Sequence, residues 1–276
     1  MDFIQTNRID AISPPTKVFQ TSGNQPVLIL CSDFNLYVCK YNRLPGRAAT
    51  KLFHEWIAGC FAKLWNFATP DFSIVTINPR YALNHYILQP SFFTTPCFGS
   101  RHNRHLVEID AFYAESRSLR RRQSKQKNEF LKIALFDIWL ANEDRNFNNF
   151  NLLIDVQKDH WFIPIDHDSI FNTGNLDKGL VLLSENETLL YTNLTRKLFS
   201  EKELCDQFTL KEIKNEYYLC VRECENNLKE ILQNVPEEWK INIEEYENLL
   251  ITNLFEKKWI DNCWRYFLEL LQHSRS

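Results

Sequence analysis

The sequence predicts an α+β protein: a small β-rich lobe over about residues 1–100, then a larger helical lobe over about residues 101–276. Three observations predict it. Short β-branched and aromatic runs, bounded by turn residues, fill most of the first hundred positions. A single stretch of helical periodicity interrupts them. Beyond about Asn175 the pattern reads as helical throughout, and strands followed by helices are the signature of an α+β chain.

The elements follow in order. Pro26–Ser32 ("PVLILCS") and Leu36–Tyr41 ("LYVCKY") read as strands joined by Asp33-Phe34-Asn35, a β-hairpin. A polar loop, "QTSGNQP", precedes them, and Pro45 and Gly46 break the chain after them. A helix is predicted over about Ala48–Trp65, where Leu52, Phe53, Trp56, Ile57, Cys60, Phe61, Leu64 and Trp65 recur at helical spacing. Glu55 lies on the other side among the small residues Ala58, Gly59 and Ala62. A helix large on one side and small on the other packs on both, so Glu55 needs a cationic partner or water. "FSIVTIN" reads as a strand and "TPCFGSRHN" as irregular chain. The stretch with Arg117, Arg120, Arg121, Arg122, Lys125 and Lys127 reads as a solvated helix face or a docking patch for an acidic partner. Glu129–Ala141 is apolar nearly all round, hence a buried helix. Pro236 opens a further helix as a first-turn residue.

Composition excludes several classes. With 44% apolar and 24% charged residues over 276 positions, the chain is neither disordered nor fibrous. A net charge of −3 gives no case for direct nucleic-acid binding or membrane attraction. No run approaches the ~18 apolar residues of a membrane span. Six glycines exclude a multi-glycine cofactor loop. The eight cysteines include no CxxC pair, which disfavours zinc and favours reduced thiols in a cytoplasmic setting. No signal peptide is visible.

The chemistry concentrates in Asn142–Phe171, "NEDRNFNNFNLLIDVQKDHWFIPIDHDSIF". A buried helix ends in a polar cluster. Two strands follow, Phe150–Val156 and His160–Asp166, joined by Gln157-Lys158-Asp159. A turn centred on Lys158 sets Phe150 opposite Asp166 and Asn149 beside His167, with Asn149 and Asp166 roughly 5–7 Å apart by ladder geometry. An amide oxygen and a carboxylate there are hard ligands suited to Mg²⁺. Asp144 is left to orient or deprotonate a hydroxyl. Those are the parts of phosphoryl transfer. Alone, Asp144 and Asn149 read equally as loop-closing residues. Lys40, paired with Glu55, is placed to meet nucleotide phosphates, and the "TSGN" loop is placed to cradle them with backbone N–H groups.

The chain here resembles the HipA-like kinases, bacterial relatives of the protein and phosphatidylinositol kinase folds. "TSGNQPVLI", "YVCK", "LFHEWIAG", "CFGSR", "NEDRNFNNFNLLI" and "IPIDHDSIF" carry the resemblance over about residues 15–175. It implies a two-lobed protein-kinase-like fold with ATP and Mg²⁺ between the lobes. It implies that Lys40 contacts the phosphates, Glu55 holds Lys40, Asp144 is catalytic, and Asn149 and Asp166 bind metal. Ser22 and Gly23 are expected in the phosphate loop; Ser22 and Thr21 read as plain turn residues, the rival reading being self-phosphorylation, and Phe98 is set beside the adenine. The acceptor is then a protein serine or threonine, and an antitoxin or other regulatory protein is the expected partner. The sequence departs from the family at three points. The loop holds one glycine. Asn146 stands where many relatives have histidine. "DHD" replaces "DFG", so a slipped register would make Asp168 the ligand. A lipid or small-molecule hydroxyl kinase, or an ATP-binding pseudokinase, is the alternative.

Overall fold

The computed structural model describes residues 7–20, 25–110, 124–155, 157, 162–204 and 206–273. It is a mixed α+β chain that divides into two compact units. One gathers Met1–Phe61, Thr69–Arg104 and Lys229–Ile243; the other holds Ala62–Ala68, His105–Leu228 and Glu244–Ser276.

The first unit is built on a six-stranded sheet. Its strands are β1 (Arg8–Asp10), β2 (Lys17–Val18), β3 (Val27–Leu30), β4 (Leu36–Lys40), β5 (Phe72–Thr76) and β6 (Cys97–Arg101), in the spatial order β1-β5-β6-β4-β3-β2. The β3–β4 hairpin is the predicted one, with Val27 opposite Cys39 and Leu30 opposite Leu36. Alternation sends Val27, Ile29, Cys39 and Tyr37 to one face, where they join Tyr41, Val75, Phe92 and Phe93 in a core. Tyr41 stacks on Phe92 with ring centroids 5.4 Å apart. The other face receives α1 (Thr50–Leu64), whose Trp56 meets Phe72 edge-on at 5.5 Å. Residues 229–243 belong with this unit. Trp56 Nε1 donates to the Ile231 carbonyl, and Trp239 Nε1 donates to the Pro96 carbonyl.

Two expectations are corrected here. Cys97–Arg101 is not irregular; it is β6, lying between β4 and β5. Gly99 hid its alternation. A Cβ at that position would lie 2.4 Å from Val75 Cγ2 and 3.3 Å from Cys39 Sγ, so the crowded face leaves no room for a side chain. Pro236 does not open an α-helix either. It precedes one 3₁₀ turn, Glu237–Trp239, which Lys240 ends in the left-handed region at φ 55°. The α-helix begins only at Ile243.

The second unit contains α2 (Ser124–Leu140), a three-stranded sheet, and most of the helical tail. Strands β7 (Leu106–Glu108), β8 (Leu152–Asp155) and β9 (Phe162–Pro164) pair in that order. The tail comprises α3 (Gln207–Gln233), α4 (Ile243–Leu249) with a π turn at Leu250–Leu254, and α5 (Lys257–His273). As its all-round apolarity predicts, α2 is almost wholly buried. Trp139 stacks on Trp65 at 5.7 Å, and its Nε1 donates to the Leu254 carbonyl. Trp259 Nε1 in turn donates to the Trp139 carbonyl. Among the described residues no helix is long and apolar enough to cross a membrane. The seven described cysteines are free thiols, and burial pushes those of Cys31, Cys39 and Cys97 upward.

Near the start of α2, Lys127 Nζ lies 2.5 Å from Glu203 Oε1. Partial burial pushes the Glu203 carboxyl upward, but hydrogen bonds from Lys127 and Ser200 outweigh that and hold it at about 2, against the usual 4.5. A depressed carboxyl stabilises the fold above its unfolded value and loses that contribution as pH falls through its folded value. Glu203 is 46% exposed, so solvent screening keeps the contribution under about 1 kcal/mol. Urea titrations of wild type and Glu203→Gln should therefore differ slightly at pH 7 and converge as the pH is lowered from about 4.5 toward 2. A gap that widens on acidification contradicts this.

Candidate active site

Two clusters of chemistry-bearing residues stand out, one in each unit. In the first unit β4 ends at Lys40, directly opposite Phe98 of β6. Lys40 Nζ lies 2.5 Å from Glu55 Oε1, with the two side chains 13% and 6% exposed. Glu55 therefore has the cation that its position in α1 demands. Phe98 is buried, its ring 5.4 Å from Phe72. Ser22 and Gly23 lie outside the described residues, as do Arg117 and Arg120–Arg122 of the basic stretch.

In the second unit the site begins where α2 stops. Ala141 turns left-handed at φ 48°, and the backbone N–H of Asn142 returns to the Asp137 carbonyl at 2.9 Å. Asn142 Nδ2 donates to Asp137 Oδ1, and Arg145 Nε lies 2.7 Å from Asp137 Oδ2. Arg145 is fully buried. Its guanidinium donates to the carbonyls of Phe150, Asn151 and Ile165, and to His167 Nε2 at 3.0 Å. A guanidinium only donates, so His167 is a neutral acceptor on that nitrogen. This single side chain ties the end of α2, the start of β8 and the chain after β9 together.

Asp144 stands beside it, half-buried. Asn149 Nδ2 and Asn151 Nδ2 both donate to Asp144 Oδ2, at 3.2 and 3.1 Å. Burial pushes the Asp144 carboxyl above its ordinary value, and the charges of Asp166 and Asp168 push it further against the pull of the two amides. The loop between is closed by paired backbone hydrogen bonds of Asn146 and Asn149. Asn146 also donates its Nδ2 to the Glu143 carbonyl and accepts from the Asn148 N–H, so its side chain helps to close the loop.

The hairpin register is the predicted one. Leu152 faces Pro164, Leu153 faces Ile163 and Ile154 faces Phe162. No slip shifts Asp168 into the place of Asp166. Asp166 itself is left-handed at φ 59°. Asp168 is buried and accepts from Ser169 Oγ at 2.8 Å. Among the described residues no three His, Cys, Asp or Glu side chains form a metal cage. The donor chemistry nevertheless fits Mg²⁺, which takes one or two protein carboxylates and completes its shell with water and phosphate. Asn149, which donates to Asp144 through nitrogen, keeps its amide oxygen for a cation. The mutual field of Asp144, Asp166 and Asp168 is what a cation would relieve.

Beyond Asp168 the chain forms one turn of left-handed helix. Phe171, Asn172 and Thr173 have φ 59°, 49° and 56°, followed by Gly174 at 84°. Each non-glycine residue there costs roughly 1–2 kcal/mol. The turn is held from the segment that leads into Asp144. Asn172 N–H donates to the Ala141 carbonyl, Asn172 Nδ2 donates to Glu143 Oε1 at 3.1 Å, and Thr173 Oγ1 donates to Glu143 Oε2.

Sequence reasoning missed Arg145, Asn151 and Glu143. A signal for Arg145 was present, because Asp137 is an acid in an apolar helix and, like Glu55, demands a buried cation. Asn151 and Glu143 matter only through loop geometry, which spacing does not reveal.

The family model described as HipA-like kinase matches residues 16–263. The crystal structure of the Helicobacter pylori proinflammatory kinase CtkA aligns with a TM-score of 0.55 at 14% identity, covering 96% of this chain and 99% of that one. HipA of Shewanella oneidensis MR-1, from the complex of its toxin–antitoxin system with HipB and operator DNA, aligns with a TM-score of 0.42 at 10% identity, covering 99% of this chain and 67% of that one. No curated protein matches the sequence. The first structural likeness is one of fold; the family match spans most of the sequence, and by it the chain belongs to the HipA-like kinase family.

Proposed function

We propose that the chain is a kinase that transfers the γ-phosphate of ATP to a serine or threonine hydroxyl of a protein, itself included, with Mg²⁺ bound. The observation that carries this reading is Asp144, held by two amides in the field of two further acids. Asp144 orients the acceptor hydroxyl and takes its proton as the oxygen–phosphorus bond forms and ADP leaves. Its raised carboxyl suits that task, because a base works best when its pKa approaches the working pH. Asn149 and Asp166 would hold the metal, and a metal bound there would supply neutralisation of the phosphate charge. Lys40, fixed by Glu55, neutralises the remaining phosphate charge. Ser22 and Gly23 stay in this proposal as part of the phosphate loop, and Phe98 as a neighbour of the adenine. A cytoplasmic setting and a regulatory protein partner of antitoxin type are part of this proposal, and what supports them is the family membership.

Mass spectrometry after incubation with Mg·ATP, with and without a mixture of candidate protein acceptors, tests the reading. Each transferred phosphoryl group adds about 80 Da and two negative charges, and fragment masses show whether Ser22 carries one. Protein that gains no phosphate, alone or in any mixture, overturns it.

A further inference from the structure

Asp144 is flanked by two residues that both reach the segment after β9. Arg145 does so from inside, through the Ile165 carbonyl and His167. Glu143 does so from the outside, where its two carboxylate oxygens accept from Asn172 Nδ2 and Thr173 Oγ1. The Glu143 carbonyl is also engaged, by Asn146 Nδ2. Both ends of residue 143 are thereby fixed, and the peptide that leads into Asp144 is fixed with them.

What Glu143 grips is strained. Three consecutive L-residues in the left-handed region do not stay there on their own preference. The turn closes locally through the Asn175 N–H on the Phe171 carbonyl. Asn172 extends the grip, because its Nδ2 also donates to the Val181 carbonyl and its Oδ1 accepts from the Val181 N–H at 2.9 Å. Glu143 thus joins the loop bearing Asp144 to the segment that begins at Asp166 and runs to Val181. Unlike Arg145, it does so with a partly exposed side chain and an exposed Thr173.

From this geometry we infer that Glu143 is a positioning residue: by holding the left-handed turn at Phe171–Gly174 it sets Asp144 against Asp166 and Asp168. The inference rests on the kinase reading above. A glutamine keeps one acceptor for Asn172 and offers Thr173 an N–H, so it replaces the brace without the charge. A glycine at position 173 adopts positive φ freely, so it removes part of the strain that the brace opposes.

The test compares wild type, Glu143→Ala, Glu143→Gln and the double variant Glu143→Ala/Thr173→Gly. The measurements are kcat and the KM for ATP in phosphoryl transfer, the thermal midpoint, and amide hydrogen exchange at Asn172 and Val181. The expected result for Glu143→Ala is a kcat about tenfold lower, an ATP KM within about twofold of wild type, and faster exchange at both amides. Glu143→Gln should recover most of kcat, and Thr173→Gly should recover part of it in the alanine background. Faster exchange with unchanged kcat would show a brace that positions nothing, and unchanged exchange would show no brace; either overturns the inference. A fall in kcat that glutamine does not restore also overturns it, because charge and not position would then be the cause. Wild-type protein that transfers no phosphate defeats the kinase reading and the positioning role together, and the exchange data then report separately on the brace.

Discussion

Asp144→Asn lowers phosphoryl transfer by about 10²–10⁴-fold, the usual worth of a positioned general base, while Mg·ATP still binds. Asparagine keeps an oxygen for the amides of Asn149 and Asn151, so the loop persists. It loses the proton acceptor. The variant is also at least as stable as wild type. A carboxyl raised by burial and by Asp166 and Asp168 is charged at neutral pH at the expense of the fold, and that expense shrinks as pH falls through its folded value. An asparagine removes it at every pH. Single-turnover transfer, nucleotide titration and thermal melts on one preparation separate these effects. Transfer within twofold of wild type removes Asp144 from the chemistry, and lost nucleotide binding shows a disrupted site instead.

Arg145→Ala should destabilise the protein by about 3–5 kcal/mol, because it leaves the buried Asp137 charge uncompensated and frees three carbonyls and His167 from their donor. For a chain of this size that lowers the thermal midpoint by roughly 10 °C. Arg145→Lys should recover little, since one ammonium does not reproduce a planar fork aimed in several directions. Calorimetry of the two variants checks this. A midpoint within about 2 °C of wild type for Arg145→Ala would mean that the network around Asp137 contributes almost nothing.

The sequence made the framework legible wherever one strong pattern acted alone. The β3–β4 hairpin, α1 and α2 announce themselves by alternation or helical spacing, and the β8–β9 register is the one expected from a turn centred on Lys158, a residue outside the described ones. Glu55 revealed its need for a cation because an acid among small residues on a packed helix face must either pair or reach water, and it pairs with Lys40. The misses share one cause, which is long-range contact. Strand β6 depends on Gly99 yielding space to Val75 and Cys39 from two other strands. Asn151, Glu143 and the left-handed turn at Phe171–Gly174 are set by hydrogen bonds across loops, where several conformations suit the same residues until the partners are in place.

The central claim of the proposed function is that Lys40 and Asp166 are each required for Mg²⁺-dependent phosphotransfer. The most direct test is incorporation of label from γ-labelled ATP into protein by wild type, Lys40→Met and Asp166→Ala, each with Mg²⁺ and with excess chelator. The account predicts Mg²⁺-dependent labelling by wild type and almost none by either variant; equal labelling by all three, or labelling indifferent to the chelator, contradicts it.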